Sequence, residues 1–79
     1  METTTVTYTI IMEQAADGGW NALVPDIPGL LLAGETKSEL LAGAPNAILD
    51  YLDAMRETGK PIPAAATEAA EVTVTLPAA

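Results

Sequence analysis

A chain of 79 residues with three Lys or Arg against 11 Asp or Glu carries a formal charge of −8. That is too short for two hydrophobic cores, and too acidic for a free-standing nucleic-acid binder, which needs basic groups to displace counterions from phosphates. The absence of Cys and His excludes disulfides, thiolate chemistry, the usual zinc sites and the usual neutral-pH base.

Residues 1–79 are expected to form one domain with a small core. Of the 49% hydrophobic residues 15 are alanine, leaving 9 Leu, 5 Ile and 4 Val as the main core formers. Stability is expected to be marginal, or to need a partner. The start, Met1–Glu2–Thr3, has no basic leader region, and no apolar run approaches the ~18 residues of a membrane span. A soluble cytoplasmic protein is the expectation.

Thr3 to Glu13 is rich in β-branched residues. Val6, Tyr8, Ile10 and Met12 alternate with Thr5, Thr7, Thr9 and Ile11, which predicts a half-buried strand. Asp17-Gly18-Gly19 predicts a hairpin turn, and Trp20, Ala22 and Val24 alternate with Asn21 and Leu23 in a second strand. Pro25-Asp26-Ile27-Pro28-Gly29 must be a rigid turn, since two prolines fix φ and remove two donors. Leu30 to Ala33 returns as a short third strand closed by Gly34.

Thr36-Lys37-Ser38-Glu39 is a capping-box pattern that opens a helix. At ~100° per residue, Leu40, Leu41, Ala44, Ile48, Tyr51, Leu52 and Met55 share an arc of roughly 120°, a face to bury on the sheet. Gly59 and Pro61 give the stop signal. Pro45 conflicts with one regular helix, because it removes a hydrogen bond and crowds the carbonyl of Leu41, so a kink or break is expected there. Ala64–Ala70 reads as a linker or a nascent helix. Glu71-Val72-Thr73-Val74-Thr75-Leu76 alternates and predicts a fourth strand. The expected fold is α+β in the order β-β-β-α-β. Its four-stranded, mostly antiparallel sheet carries the helix on one face, and a right-handed crossover returns the last strand beside and parallel to the first.

No constellation suited to catalysis emerges. The first strand offers a single carboxylate, Glu13, at its end; Asp17 and Asp26 lie in turns, where Asx-type hydrogen bonding explains them. Asp17-Gly18-Gly19-Trp20 lacks phosphate-loop spacing. Catalytic residues, metal ligands and cofactors are therefore expected to be none. Trp20, the one tryptophan, reads either as a core anchor beside the hairpin or as an aromatic anchor for a partner. On the helix face away from the core, Asp50, Asp53 and Glu57 fall within about 60°, and Glu39 joins them if the helix keeps its phase through Pro45. Arg56 lies to one flank. This strip is either a solvated, solubilising face or a docking surface for a basic protein.

The pieces together resemble the HicB-type antitoxin domain. They are Tyr8-Thr9-Ile10, Asp17-Gly18-Gly19-Trp20-Asn21-Ala22, Val24-Pro25-Asp26-Ile27-Pro28-Gly29, Gly34, Thr36, Glu39, Ala47-Ile48 with Tyr51-Leu52, then Gly59, Ile62 and Pro63. The resemblance spans roughly residues 6–76 and rests on paired turns ahead of an Ala-Ile-x-x-Tyr-Leu helix. It implies a partial RNase H-like fold and a type II toxin–antitoxin role, in which the domain masks the active and RNA-binding surface of HicA, a small basic mRNA-cleaving toxin. Asp50, Asp53, Glu57, Glu39 and Trp20 are then the expected toxin-facing residues, with Asp17, Gly18, Gly19, Pro25, Asp26, Pro28 and Gly29 shaping the turns. Many relatives continue into a DNA-binding domain. This chain ends at Ala79, so no operator binding of its own is expected. The family usually keeps a helix-forming run where Gly43-Ala44-Pro45 stands here. The alternative is an orphan HicB-like module that forms homo-oligomers without a toxin. An RNase H-like nuclease is disfavoured by the nearly empty first strand.

Overall fold

A computed structural model describes residues 3–78. Its elements are β1 (Ile11–Gln14), β2 (Trp20–Leu23), β3 (Leu31–Gly34) and α1 (Lys37–Glu57). The strands form one antiparallel sheet in the order β1-β2-β3, and α1 packs on one face of it. The α+β class and the first four elements are as expected. The four-stranded sheet is not: three strands pair among the described residues.

Register decides which side chains meet the helix. Met12, Ala22 and Leu32 align across the three strands on the inner face. Ala22 and Leu32 are buried there with Val24, Ile27, Leu40 and Ala44, and Trp20, Ile48, Tyr51 and Leu52 pack around this nucleus. The hairpin joining β1 to β2 is set by Gly18, whose φ of +92° is left-handed backbone, and by Asp17, whose Oδ1 accepts the Gly19 N–H at 2.9 Å. In the Pro25–Gly29 turn the Ile27 N–H donates to the Val24 carbonyl at 2.9 Å. Ile27, the one apolar side chain between the two prolines, is driven to 1% exposure.

The first strand is shorter than predicted because its partner ends. The ladder pairs Ile11 with Leu23, so Ile10 would fall opposite Val24 and Thr9 opposite Pro25. Pro25 has no N–H to give and the chain turns away there, so residues 3–10 carry no ladder despite their strand pattern.

Thr36 caps α1 as expected, its hydroxyl accepting the Glu39 N–H at 3.1 Å. The return bond differs from the predicted box: Glu39 Oε2 accepts the N–H of Glu35, one residue earlier, at 3.2 Å. Of the kink or break expected at Pro45, the break does not occur: one helix runs from Lys37 to Glu57 with Pro45 inside it. Pro45 is exposed, while Leu40 and Ala44 before it and Ile48 and Tyr51 after it bury a single stripe on the sheet. That shared burial offsets the lost hydrogen bond. At the far end the Gly59 N–H bonds the Arg56 carbonyl and the Lys60 N–H bonds the Met55 carbonyl. With φ of +79° at Gly59, this is a Schellman closure.

Residues 60–78 form neither helix nor strand. The predicted fourth strand, Glu71–Leu76, has the right pattern but pairs with no strand among the described residues: Val72, Val74 and Leu76 are 83%, 71% and 82% exposed. Alternation gives a segment the ability to pair, but a strand exists only against another strand. The radius of gyration is 15.8 Å, against about 12 Å for a fully compact chain of this length.

Candidate functional site

Because α1 is continuous through Pro45, its helical phase carries Glu39 onto the same strip as Asp50, Asp53 and Glu57. All four are exposed, on the side of α1 turned from the sheet. Glu39 is the most constrained, since its carboxylate also holds the Glu35 N–H. Arg56 flanks the strip near the end of α1 and favours the helix dipole there.

Trp20 is placed apart from that strip, where β2 meets the start of α1. It is half-buried against the core, and the Lys37 ammonium lies 4.8 Å from its ring centroid. An open cleft of about 440 Å³ beside it is lined by Asp17, Asn21 and Glu35. Asp17 is engaged with its own turn. The structure therefore aligns the four carboxylates along one face of α1, Glu39 at its start and Asp50, Asp53 and Glu57 toward its end, and packs Trp20, half-buried, against the core.

Asp26 does more than an Asx turn. Its Oδ2 accepts the N–H groups of Ala66 and Thr67 at 3.1 and 3.0 Å, and its Oδ1 accepts the Thr67 hydroxyl at 2.7 Å. Those donors hold its carboxyl below the ordinary aspartate value, chiefly the Thr67 hydroxyl, then the Thr67 N–H, with partial desolvation opposing and the Ala66 N–H adding. Two more bonds join the same regions: the Tyr8 hydroxyl donates to the Pro63 carbonyl at 2.6 Å, and the Thr9 hydroxyl to the Thr67 carbonyl at 2.9 Å. Ala64–Ala70 is thus neither a helix nor a free linker, but a non-helical connection latched at its middle.

Two apolar surfaces escape the sequence reading. On the outer face of the sheet, Ile11, Leu23 and Leu31 line up across all three strands at 53%, 57% and 64% exposure. The second is a groove of about 890 Å³ between residues 4–10 and α1, walled by Val6, Leu41, Pro45, Leu49 and Leu52, with Arg56 also lining it. Both had a signal. Ile11 and Leu23 stand in the polar phase of their strands. Adding Pro45 and Leu49 to the helical wheel widens its apolar arc to roughly 180°, more than one sheet face can cover.

Among the described residues, no group of three His, Cys, Asp or Glu could hold a metal ion, and no helix is long and apolar enough to cross a membrane. Residues 8–77 match the family described as HicB-like antitoxin of bacterial toxin-antitoxin system. A UPF0150 protein of Thermoplasma acidophilum is 34% identical over 67 residues, 85% of this chain and 94% of the relative. A second UPF0150 protein, from Synechocystis, is 30% identical over 71% of each chain. An uncharacterized 14.9 kDa protein of Haemophilus phage HP1 is 38% identical over 71% of this chain and 41% of its own length. No solved structure matches.

Proposed function

The chain belongs to the HicB-like antitoxin family, and from that premise we propose that it neutralises a small, basic, HicA-like RNA-cleaving toxin by covering its active and RNA-binding surface. The observation that carries this reading is the row of four exposed carboxylates on one face of an unbroken helix, in a chain of net charge −8. Such a strip competes with phosphate groups for the same Lys and Arg side chains. The role requires binding and no chemistry, in keeping with an antitoxin domain that acts as a non-enzymatic regulator.

Co-expression with the protein encoded beside it tests the proposal. The neighbour alone is expected to arrest growth, and the pair to relieve the arrest and co-purify. A harmless neighbour, or two proteins that do not co-purify, overturns it. Replacing Asp50, Asp53 and Glu57 together by Lys is expected to weaken the complex by ten- to a hundredfold, mainly through slower association, with the order of magnitude taken from steered encounters. Since all three are exposed, the thermal midpoint of the isolated chain should barely move. Unchanged affinity would reduce the strip to a solubility device.

A second reading, homo-oligomerisation without a toxin, is favoured by the exposed row Ile11, Leu23 and Leu31 and by the open groove beside α1. Self-association uses faces other than the carboxylate strip and is compatible with toxin binding; the second reading differs in needing no toxin at all.

A further inference from the structure

The groove between residues 4–10 and α1 and the segment Glu71–Leu76 are complementary. Val6-Thr7-Tyr8-Thr9-Ile10 and Val72-Thr73-Val74-Thr75-Leu76 repeat one pattern, apolar residues on one face and threonines on the other. Residues 3–10 lack a ladder because Pro25 ends their partner, and Glu71–Leu76 pairs with no strand among the described residues. The wide apolar arc of α1 leaves Leu41 and Leu49 at 46% and 54% exposure, facing the groove that a strand's apolar side would fill. Arg56 is the one charged residue among those lining the groove, and Glu71, of opposite sign, directly precedes the apolar run.

From these observations we infer that Glu71–Leu76 of one copy docks in the groove of a second copy, its main chain alongside Thr4–Thr7 and its Val72, Val74 and Leu76 against Leu41, Leu49 and Leu52. The inference deepens the self-association reading and is independent of any toxin. A second copy is the occupant because the latch holds Thr67 beside Asp26 and Thr9 of its own chain, and beyond that anchor the tail leaves with its apolar side uncovered. Each copy offers one strand and one groove, so reciprocal exchange closes as a two-fold dimer and leaves no further tail to recruit. The −8 charge of each copy opposes the union, and added salt should therefore strengthen it.

Cross-linking and light scattering of the isolated protein test this. The chain has no cysteine of its own, so Val6→Cys on one copy and Val74→Cys on a second, size-tagged copy report one contact. A mixed disulfide between the two chains is expected, together with a dimer in light scattering that tightens with salt. The double variant Val72→Asp/Val74→Asp is expected to loosen the dimer on the order of a hundredfold, from the apolar burial of two valines. Both valines are exposed in the single chain, so this variant should keep the thermal midpoint of the monomer. A strict monomer at every salt concentration overturns the inference. So does a chain carrying both cysteines that closes on itself and runs as a monomer, and so does a dimer untouched by the aspartates. None of these results bears on whether the carboxylate strip binds a basic protein.

Discussion

Gly34 shows how tightly one position can be fixed by its neighbours. A Cβ built there would lie 2.6 Å from the Leu40 amide nitrogen and 3.0 Å from its Cα, both backbone atoms that cannot move aside independently. The missing side chain lets the end of β3 touch the first turn of α1, where Leu40 enters the core at 1% exposure. Gly34→Ala is therefore expected to cost about 2–3 kcal/mol as overpacking, and to lower the thermal midpoint by roughly 8–20 °C for a domain of this size. A calorimetric midpoint within a degree or two of the parent would refute that assignment. In the sequence Gly34 reads as the end of a strand and as one piece of the family pattern, and its steric role is hidden because the atoms it makes room for belong to the next element. Asp17 was legible, since its partner lies two residues away. Asp26 was not, since its partners lie 40 and 41 residues on.

Elements were legible where their causes are local. Thr36 and Gly59 bracket α1 as the capping rules predict. Strand pairing was legible only as far as the partner runs, so β1 starts at Ile11 and the alternation of Glu71–Leu76 stays unpaired. At Pro45 the helix does not break, the local penalty being offset by burial on both sides of it. That balance gives a prediction. In Pro45→Ala the new N–H can reach the Leu41 carbonyl, and the crowding of that carbonyl is relieved. The variant should be more stable by about 1–3 kcal/mol, read from the denaturant midpoint at unchanged slope. Loss of stability would mean that the ring's own packing at the groove outweighs the restored bond.

At the scale of the molecule, six buried residues form the nucleus, and the last nineteen described residues are joined to it through Pro63, Ala66 and Thr67. Asp26 is the ionisable member of that junction. Its carboxyl is held below the ordinary value, so the ionised form is favoured in the folded chain. The resulting stabilisation is fully present above the unfolded aspartate value of about 4, and is lost as the pH falls through the lower folded value. Amide exchange at Ala66 and Thr67 should accordingly quicken below about pH 4, relative to the intrinsic rate, while the sheet amides stay protected. Asp26→Asn should show the faster exchange already at neutral pH and flatten the acid dependence. Equal protection in both proteins across that range would assign the anchoring to Tyr8 and Thr9 instead. The family itself was legible because it rests on turn and helix signatures close in sequence. The exposed apolar row and the groove left only a partial signal, in Ile11, Leu23, Pro45 and Leu49, because they are defined by what fails to cover them.

Trp20 gives the molecule a built-in optical reporter with a narrow field of view. It is the chain's one tryptophan, there is no phenylalanine, and it sits where β2 meets the start of α1 under the Lys37 ammonium. Indole emission therefore follows that corner and is blind to the segment beyond Thr67. Fluorescence and amide exchange recorded on one sample separate the melting of the nucleus from the release of the tail, without a label at either place.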